Sequence, residues 1–187
     1  MTEKKLPDGW KTVKLGEVCE VQRGSRLTKK ELSDEYQYPV FHGGLIPLGY
    51  YNQYNRRANQ TMIINTGSIG EVVWSGVDFW SSDGTFVIKT PDDIDDRFLY
   101  FFLKINESYF KSQKREGGVP TINRDSINTI PIHLPPLHIQ QRIATILSEA
   151  DEEVKLHKEI TKKLEERNKV FSQKLLSGEI DLTSFNL

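Results

Sequence analysis

Pro131-Ile132-His133-Leu134-Pro135-Pro136-Leu137 opens the stretch whose reading decides the fold, and that stretch runs on to Ser177-Gly178. Pro135 and Pro136 can neither donate to a sheet ladder nor sit inside a helix, but Pro136 suits a first helical turn, where its missing N–H is no loss. A helix is therefore expected to start there. Leu147, Ala150, Val154, His157, Thr161, Leu164, Asn168, Phe171 and Leu175 follow in alternating steps of three and four, with Glu, Lys and Arg between them. That spacing predicts a coiled-coil seam. Ser177-Gly178 supplies the stop, because glycine takes the left-handed conformation without a Cβ penalty. Such a helix, about forty residues at ~1.5 Å each, would be roughly 60 Å long, longer than a domain of the remaining residues is wide. It is expected to need a partner. The polar seam residues His157, Thr161 and Asn168 cost stability but discriminate between registers, so the pairing is expected to be specific. The competing reading of the same periodicity is an ordinary long helix packed on its own domain.

Before this helix the chain reads as one compact, mainly β body, and the fold class expected is α+β. Three segments divide the sequence: 1–135 as a body, 136–178 as the long helix and 179–187 as a tail. In the body, Val13, Leu15, Val18 and Val21 are spaced for a strand or strand–turn–strand, with Trp10 as a core anchor. Tyr38-Pro39-Val40-Phe41 is a strand ended by Gly43-Gly44, and Thr61-Met62-Ile63-Ile64 is a buried strand. Gly67-Ser68-Ile69-Gly70 then turns the chain back into Glu71-Val72-Val73-Trp74. Phe79-Trp80 and Thr85-Phe86-Val87-Ile88 continue the sheet. Phe98 to Leu103, capped by the acids that precede it, is expected as a helix apolar almost all round and buried on the sheet. Thr129 to Leu134 is the last strand, with Ile130 and Ile132 inward.

A formal charge of −1 argues against a protein that binds polyanions through bulk electrostatics. Local patches stand out against that average. Arg23, Arg26, Lys29 and Lys30 fall within Gln22 to Lys30 without an acid; Arg56 and Arg57 sit among Tyr54, Asn55 and other amides; Lys111, Lys114, Arg115 and Arg124 form a third group. The run Gly49 to Gln60 has neither helical nor strand period and reads as an exposed functional loop. Cys19 is the one cysteine, which excludes an internal disulfide, and the chain has no secretory h-region at its start and no apolar run long enough to cross a bilayer. A reducing cytoplasm is the expected location.

Catalytic patterns are missing. Gly67-Ser68-Ile69-Gly70 lacks the Lys-Ser/Thr of a phosphate loop, so a hairpin turn is the better reading. Pro91-Asp92-Asp93 has no Glu-x-Lys partner to complete a nuclease metal site, and His42, His133, His138 and His157 are scattered over different elements. No metal site, catalytic group or bound cofactor is expected. What remains is recognition: Arg and Lys neutralise phosphates, while Asn, Gln and Arg make bidentate contacts to base edges. The same charge groups also suit a merely solvated surface.

Several features occur together in a telling order: Gly9-Trp10 with Leu15-Gly16-Glu17-Val18, Arg23-Gly24-Ser25, the Gly67-Ser68-Ile69-Gly70 turn, Gly84-Thr85-Phe86, and Gly118-Val119-Pro120-Thr121-Ile122-Asn123. Pro135-Pro136-Leu137 with Gln140 and Ile143, and a closing Gln173-Lys174-Leu175-Leu176-Ser177-Gly178-Glu179-Ile180, complete the series. In this the chain resembles the DNA-specificity subunits of type I restriction-modification systems, over nearly its whole length. Ile139 departs from the family's usual Glu before Gln140. A larger departure is size, since family members typically carry two target-recognition domains and two conserved helices, and here there is one of each.

The resemblance implies a non-catalytic half-subunit whose 1–135 body is a target-recognition domain. Two copies would pair through antiparallel C-terminal helices along Leu147, Ala150, Val154, His157, Thr161, Leu164, Asn168, Phe171 and Leu175, and recognise a bipartite palindrome in double-stranded DNA. Its partners would be a methyltransferase subunit and a restriction (motor-nuclease) subunit, with S-adenosylmethionine, ATP and Mg only on those partners. The DNA contacts expected are Arg23, Ser25, Lys29, Lys30, Tyr54, Asn55, Arg56, Arg57, Lys114, Arg115, Thr121, Asn123 and Arg124. Two other readings stay open: a specificity subunit for a fused methyltransferase-nuclease, and a coiled-coil adaptor whose body binds protein.

Overall fold

The computed structural model describes residues 6–113 and 120–180. They fall into two compact units that divide between Ala144 and Thr145. The first, the head, is built from β1 (Lys11–Lys14), α1 (Leu15–Val18), β2 (Glu20–Arg23), β3 (Tyr38–Phe41), β4 (Gly49–Tyr51), β5 (Gln60–Ile64), β6 (Val72–Ser75), β7 (Trp80–Ser81), β8 (Thr85–Lys89), α2 (Asp96–Ile105), α3 (Glu107–Ser112), α4 (Arg124–Asn128) and β9 (Pro131–Leu134). One long helix, α5 (Leu137–Leu176), comes after it. The fold class is α+β.

At the centre is an antiparallel sheet in the order β2-β8-β5-β6. Side chains alternate across a strand, and here both faces are apolar. Val21, Ile63, Val72, Phe86 and Ile88 join one core with Phe98, Leu99 and Leu103 of α2 and Phe110 of α3. On the other face Met62, Ile64, Val73 and Val87 meet Phe41 and Phe79. The first face is therefore covered by helices, and the second by a smaller sheet, β4-β3-β7, in which β7 runs parallel to β3. Gly67 and Gly70 give the β5–β6 hairpin its left-handed residues, at φ of 79° each. A Cβ on Gly67 would lie 2.3 Å from the Gly43 carbonyl, so this turn also packs against the end of β3.

Strands β1 and β9 pair antiparallel, Lys11 opposite Leu134 and Lys14 opposite Pro131, which brings the beginning and the end of the head side by side. The long helix is seated through Gln140. Its buried carboxamide accepts from the Asp95 N–H at 2.9 Å and donates to the Asp93 and Pro135 carbonyls at 3.2 and 2.9 Å. Asp95 in turn caps α2, accepting from the Phe98 N–H at 2.7 Å. Ala144, one turn on, is buried in the first core. The first two turns of α5 thus belong to the head, and the unit boundary falls at Ala144 rather than at the Pro135–Pro136 junction expected from the prolines.

Other expectations need correction. Leu15 and Val18 lie on α1, whose first turn is closed by the Glu17 carboxylate accepting from the Lys14 N–H at 2.9 Å. Leu15 fills the core there, while Trp10 is only half-buried and outside both apolar clusters. The segment Gly49–Gln60 is not irregular throughout: Gly49–Tyr51 pairs with β3, helped by the edge-on Tyr51–Trp80 contact at 5.2 Å. Helix α2 is buried on one face only. Phe98, Leu99 and Leu103 point inward, Ile105 is 82% exposed, and the Arg97 guanidinium lies 4.9 Å from the rings of Trp74, Tyr100 and Phe101.

Burial pushes the Cys19 thiol up to about 12, with the Asp96 and Asp93 charges adding to it, so the thiol is neutral and inert. Among the described residues no helix is long and apolar enough to cross a membrane.

The second unit is the rest of α5 from Thr145. Of the seam expected from the sequence, Leu147, Val154, Leu164 and Phe171 are 39%, 51%, 42% and 53% exposed, and Leu156 and Ile160 flank them at 57% and 45%. His157 Nε2 lies 3.7 Å from Glu153, one turn back, so this polar seam residue has a partner on its own helix.

Candidate nucleic-acid interface

Cationic and amide-rich segments far apart in the sequence meet at the end of β2. Gly24 fits there because it has no side chain: a Cβ would lie 2.1 Å from the Ser82 carbonyl. The strand end is pinned by Gly24 N–H to the Thr85 carbonyl at 3.1 Å, Ser25 N–H to the Ser81 carbonyl at 2.9 Å, and Trp80 Nε1–H to the Ser25 carbonyl at 2.9 Å. Arg23 and Ser25 flank this glycine with both side chains exposed. Arg23 Nε donates to the Asp83 carbonyl at 3.3 Å, which fixes the guanidinium beside the β7–β8 turn.

The 54–57 segment docks onto the same place. Arg56 exchanges backbone hydrogen bonds with Phe79 at 3.0 Å. The Asn55 carboxamide donates to the Ser81 carbonyl at 3.0 Å and accepts from the Ser81 N–H at 2.8 Å. Arg56 Nη1 and Nη2 donate to the carbonyls of Asn55 at 2.7 Å and Arg23 at 3.2 Å, and burial lowers the affinity of this guanidinium for its proton. Asn55 and Arg56, expected among the DNA contacts, are therefore engaged with backbone. Arg57 is free of the backbone: it lies 4.7 Å from the Tyr54 ring and bridges to Asp78 at 3.1 Å, with its side chain 73% exposed. Tyr54 is half-buried, edge-on to Tyr38 at 4.9 Å.

Lys29 and Lys30 are exposed on a single 3-10 turn. It begins with Thr28, whose N–H and hydroxyl both donate to the Glu31 carboxylate, at 2.8 and 2.7 Å. Those hydrogen bonds hold the Glu31 carboxyl below the usual carboxylate range. Lys29 lines a cleft of about 540 Å³ with Arg26, His42, Leu48 and Asp83. His42 Nδ1 lies 3.2 Å from the Ser82 hydroxyl and 3.4 Å from the Asp83 carboxylate. Thr121, Asn123 and Arg124 meet Arg23 from the other side, around a second cleft of about 390 Å³ that also includes Asn65 and Phe86. Asn123 caps α4 by accepting from the Ser126 N–H at 2.7 Å, and Arg124 is exposed. Lys114 and Arg115 lie outside the described residues.

The Arg23–Asp83 hydrogen bond thus links two clefts on one cation-bearing surface, with the 54–57 segment docked beside them. Sequence reasoning missed His42, Asp83, Asn65 and Phe86, which carry no local signature. The Thr28-x-x-Glu31 spacing, by contrast, was a readable capping signal for the lysine-bearing turn. Such a surface can neutralise phosphates with its exposed cations while polar groups in the clefts contact base edges. Among the described residues, no group of three or more His, Cys, Asp or Glu is arranged to hold a metal ion.

Comparison with known proteins identifies the fold and the family. A solved S subunit of a type I restriction-modification system from M. genitalium has the same fold, with a TM-score of 0.75 at 21% identity over 93% of this chain and 48% of that one. Among curated proteins, the MjaVIII type I restriction enzyme specificity subunit of Methanocaldococcus jannaschii is 28% identical over 79% of this chain and 37% of its own. A putative type I specificity subunit of Mycoplasma pneumoniae is 29% identical over 95% of this chain and 48% of its own. The chain spans about half the length of these relatives or less. The family model of the type I restriction modification DNA specificity domain matches residues 7–166, head and most of the helix together, and the chain belongs to that family.

Proposed function

We propose that this chain selects the DNA site of a type I restriction-modification complex, without catalysing a reaction itself. The observation that carries the reading is the convergence of Arg23, Arg26, Lys29 and Arg124 around two clefts of one head, in a chain of this family. Lys29, Lys30, Arg57 and Arg124 contact phosphates, which set register on the duplex. Arg23, Thr121 and Asn123 stand at a cleft where bases are read, with Ser25 exposed just beyond Arg23. Asn55 and Arg56 act one step back: they hold β2 against β7, so that Arg23 and Ser25 keep their place. Tyr54 supports Arg57.

The sequence contains one head and one helix, and two copies would provide two reading heads. We propose that the copies pair antiparallel along the exposed seam of α5, from Leu147 to Leu175. A two-fold dimer of identical heads reads a palindrome in two halves, and heads ~34 Å apart along the duplex would meet the same face of DNA. The methyltransferase and restriction subunits bring the S-adenosylmethionine, ATP and Mg chemistry to the selected site, in the cytoplasm. Light scattering on the full chain, beside a chain ending at Pro136, tests the pairing. A dimer that becomes monomeric on truncation supports it, and a full-length monomer removes the basis for a palindrome. Selection from random duplex DNA with the methyltransferase subunit present tests the reading head. Enrichment of no sequence would favour the adaptor whose head binds protein.

A further inference from the structure

We infer that the cleft beside Thr121–Arg124 is a slot for one adenine, and that the Asn65 carboxamide on its floor is the group that reads it. The inference rests on the DNA-reading function proposed above and assigns a specificity-determining residue within it. Asn65 follows the last residue of β5, and its main chain is fixed on both sides. Its N–H donates to the Gly84 carbonyl at 2.9 Å, and its carbonyl accepts from the Ile122 N–H at 3.3 Å. The residue is only 3% exposed. Yet its side-chain oxygen, buried in the protein, has no hydrogen-bond partner. Buried amides are nearly always satisfied within a fold, and one that is not, lining an open cleft, is poised for a ligand that satisfies it.

The chemistry of the cleft narrows the ligand. Its volume of about 390 Å³ accommodates a planar base. Phe86 and Ile122 supply apolar walls, while Arg23 and Arg124 stand at the same cleft as cations for flanking phosphates. A phosphate would engage only the donor half of the Asn65 carboxamide and leave its oxygen unpaired, whereas a base edge with a donor and an acceptor side by side engages both. A carboxamide presents a donor and an acceptor side by side, and rotation about its last bond exchanges them. Adenine offers the complement on its major-groove edge, N6–H₂ as donor and N7 as acceptor.

The test uses the full chain with its cognate methyltransferase subunit and a duplex enriched from random sequence. Each adenine of that duplex is replaced in turn by 7-deazaadenine, which lacks the N7 acceptor, and binding is measured for the unaltered protein and for Asn65→Asp. The substitution is nearly isosteric but removes the donor. One adenine in each half-site is expected to lose tenfold or more in affinity on deaza substitution with the unaltered protein. With Asn65→Asp, affinity for the unmodified duplex falls by a similar factor, and the deaza effect at that position disappears. A scan of the unaltered protein that finds no sensitive adenine overturns the slot without needing the variant, even if Asn65→Asp fails to fold. A deaza effect that persists undiminished in a folded Asn65→Asp assigns the adenine elsewhere and also overturns it. If the unaltered complex enriches no sequence at all, the DNA-reading function falls, and the slot with it.

Discussion

The head and the helix bury their apolar residues in opposite ways. In the head, Met62, Ile63, Ile64 and Val87 are completely buried, and both faces of the central sheet are covered by the head's own elements. Along α5 beyond Ala144, Val154, Leu156, Leu164 and Phe171 keep 42% to 57% of their surface exposed. A strand sequence apolar on both faces finds its complement within one chain. A narrow helical stripe over about eight turns does not, and a second helix along it is the complement that the proposed pairing supplies. The head thus buries its own apolar surface, and the seam is the surface that the proposed pairing would bury.

That division can be broken by experiment, and the largest effect is expected in the head. Phe110→Ala removes a fully buried ring from the first core and should cost about 3–5 kcal/mol in denaturant unfolding. A loss below ~1 kcal/mol would mean that the core does not depend on α3. Next, Leu164→Asp places a charge on the seam and should weaken self-association by roughly a hundredfold in sedimentation equilibrium, while the head's unfolding midpoint stays put. A lowered midpoint would show that the two units are not energetically separate. At the junction, Gln140→Ala leaves the Asp95 N–H and two carbonyls without their partner and should destabilise the head by about 1–3 kcal/mol. If the division at Ala144 is right, that loss appears in head unfolding rather than in self-association.

The smallest effect concerns pH. Glu107 is partly buried, which raises its affinity for a proton, but the Lys104 ammonium at 2.6 Å and the Val72 N–H at 2.8 Å outweigh burial and hold its carboxyl below the ordinary value. Because the folded-state value is the lower one, its contribution is present above the unfolded carboxylate range, near about 4.3, and is lost as pH falls below it. Glu107→Gln should flatten the acid limb of head stability and leave self-association at neutral pH unchanged. An unaltered acid limb would remove this carboxylate from the account.

How much of the molecule is legible in its sequence obeys the same division. Local periods are written in the sequence, so the buried strand at Thr61–Ile64, the hairpin at Gly67–Gly70 and the length of α5 can be read directly. Contacts between distant segments leave no period. Arg56 looks like a surface cation in sequence, and only the fold places its guanidinium on the carbonyls of Asn55 and Arg23. Asn65 looks like a turn residue, and only the approach of Ile122 and Phe86 makes it the floor of a cleft. The same limit explains the junction. Pro135 and Pro136 mark the start of the helix, but the hydrogen bonds of Gln140 to residues more than forty positions earlier move the boundary of the head into α5.

Because β1 and β9 lie side by side, with Lys11 opposite Leu134, the head is a cassette bounded by neighbouring cut points. A head spliced between those two points would meet the same helix only if it also kept the backbone groups at Asp93 and Asp95 that hold Gln140, and the apolar pocket that takes Ala144. Where those groups are kept, the two neighbouring strands β1 and β9 let the head be exchanged as one piece while the helix after it stays as it is.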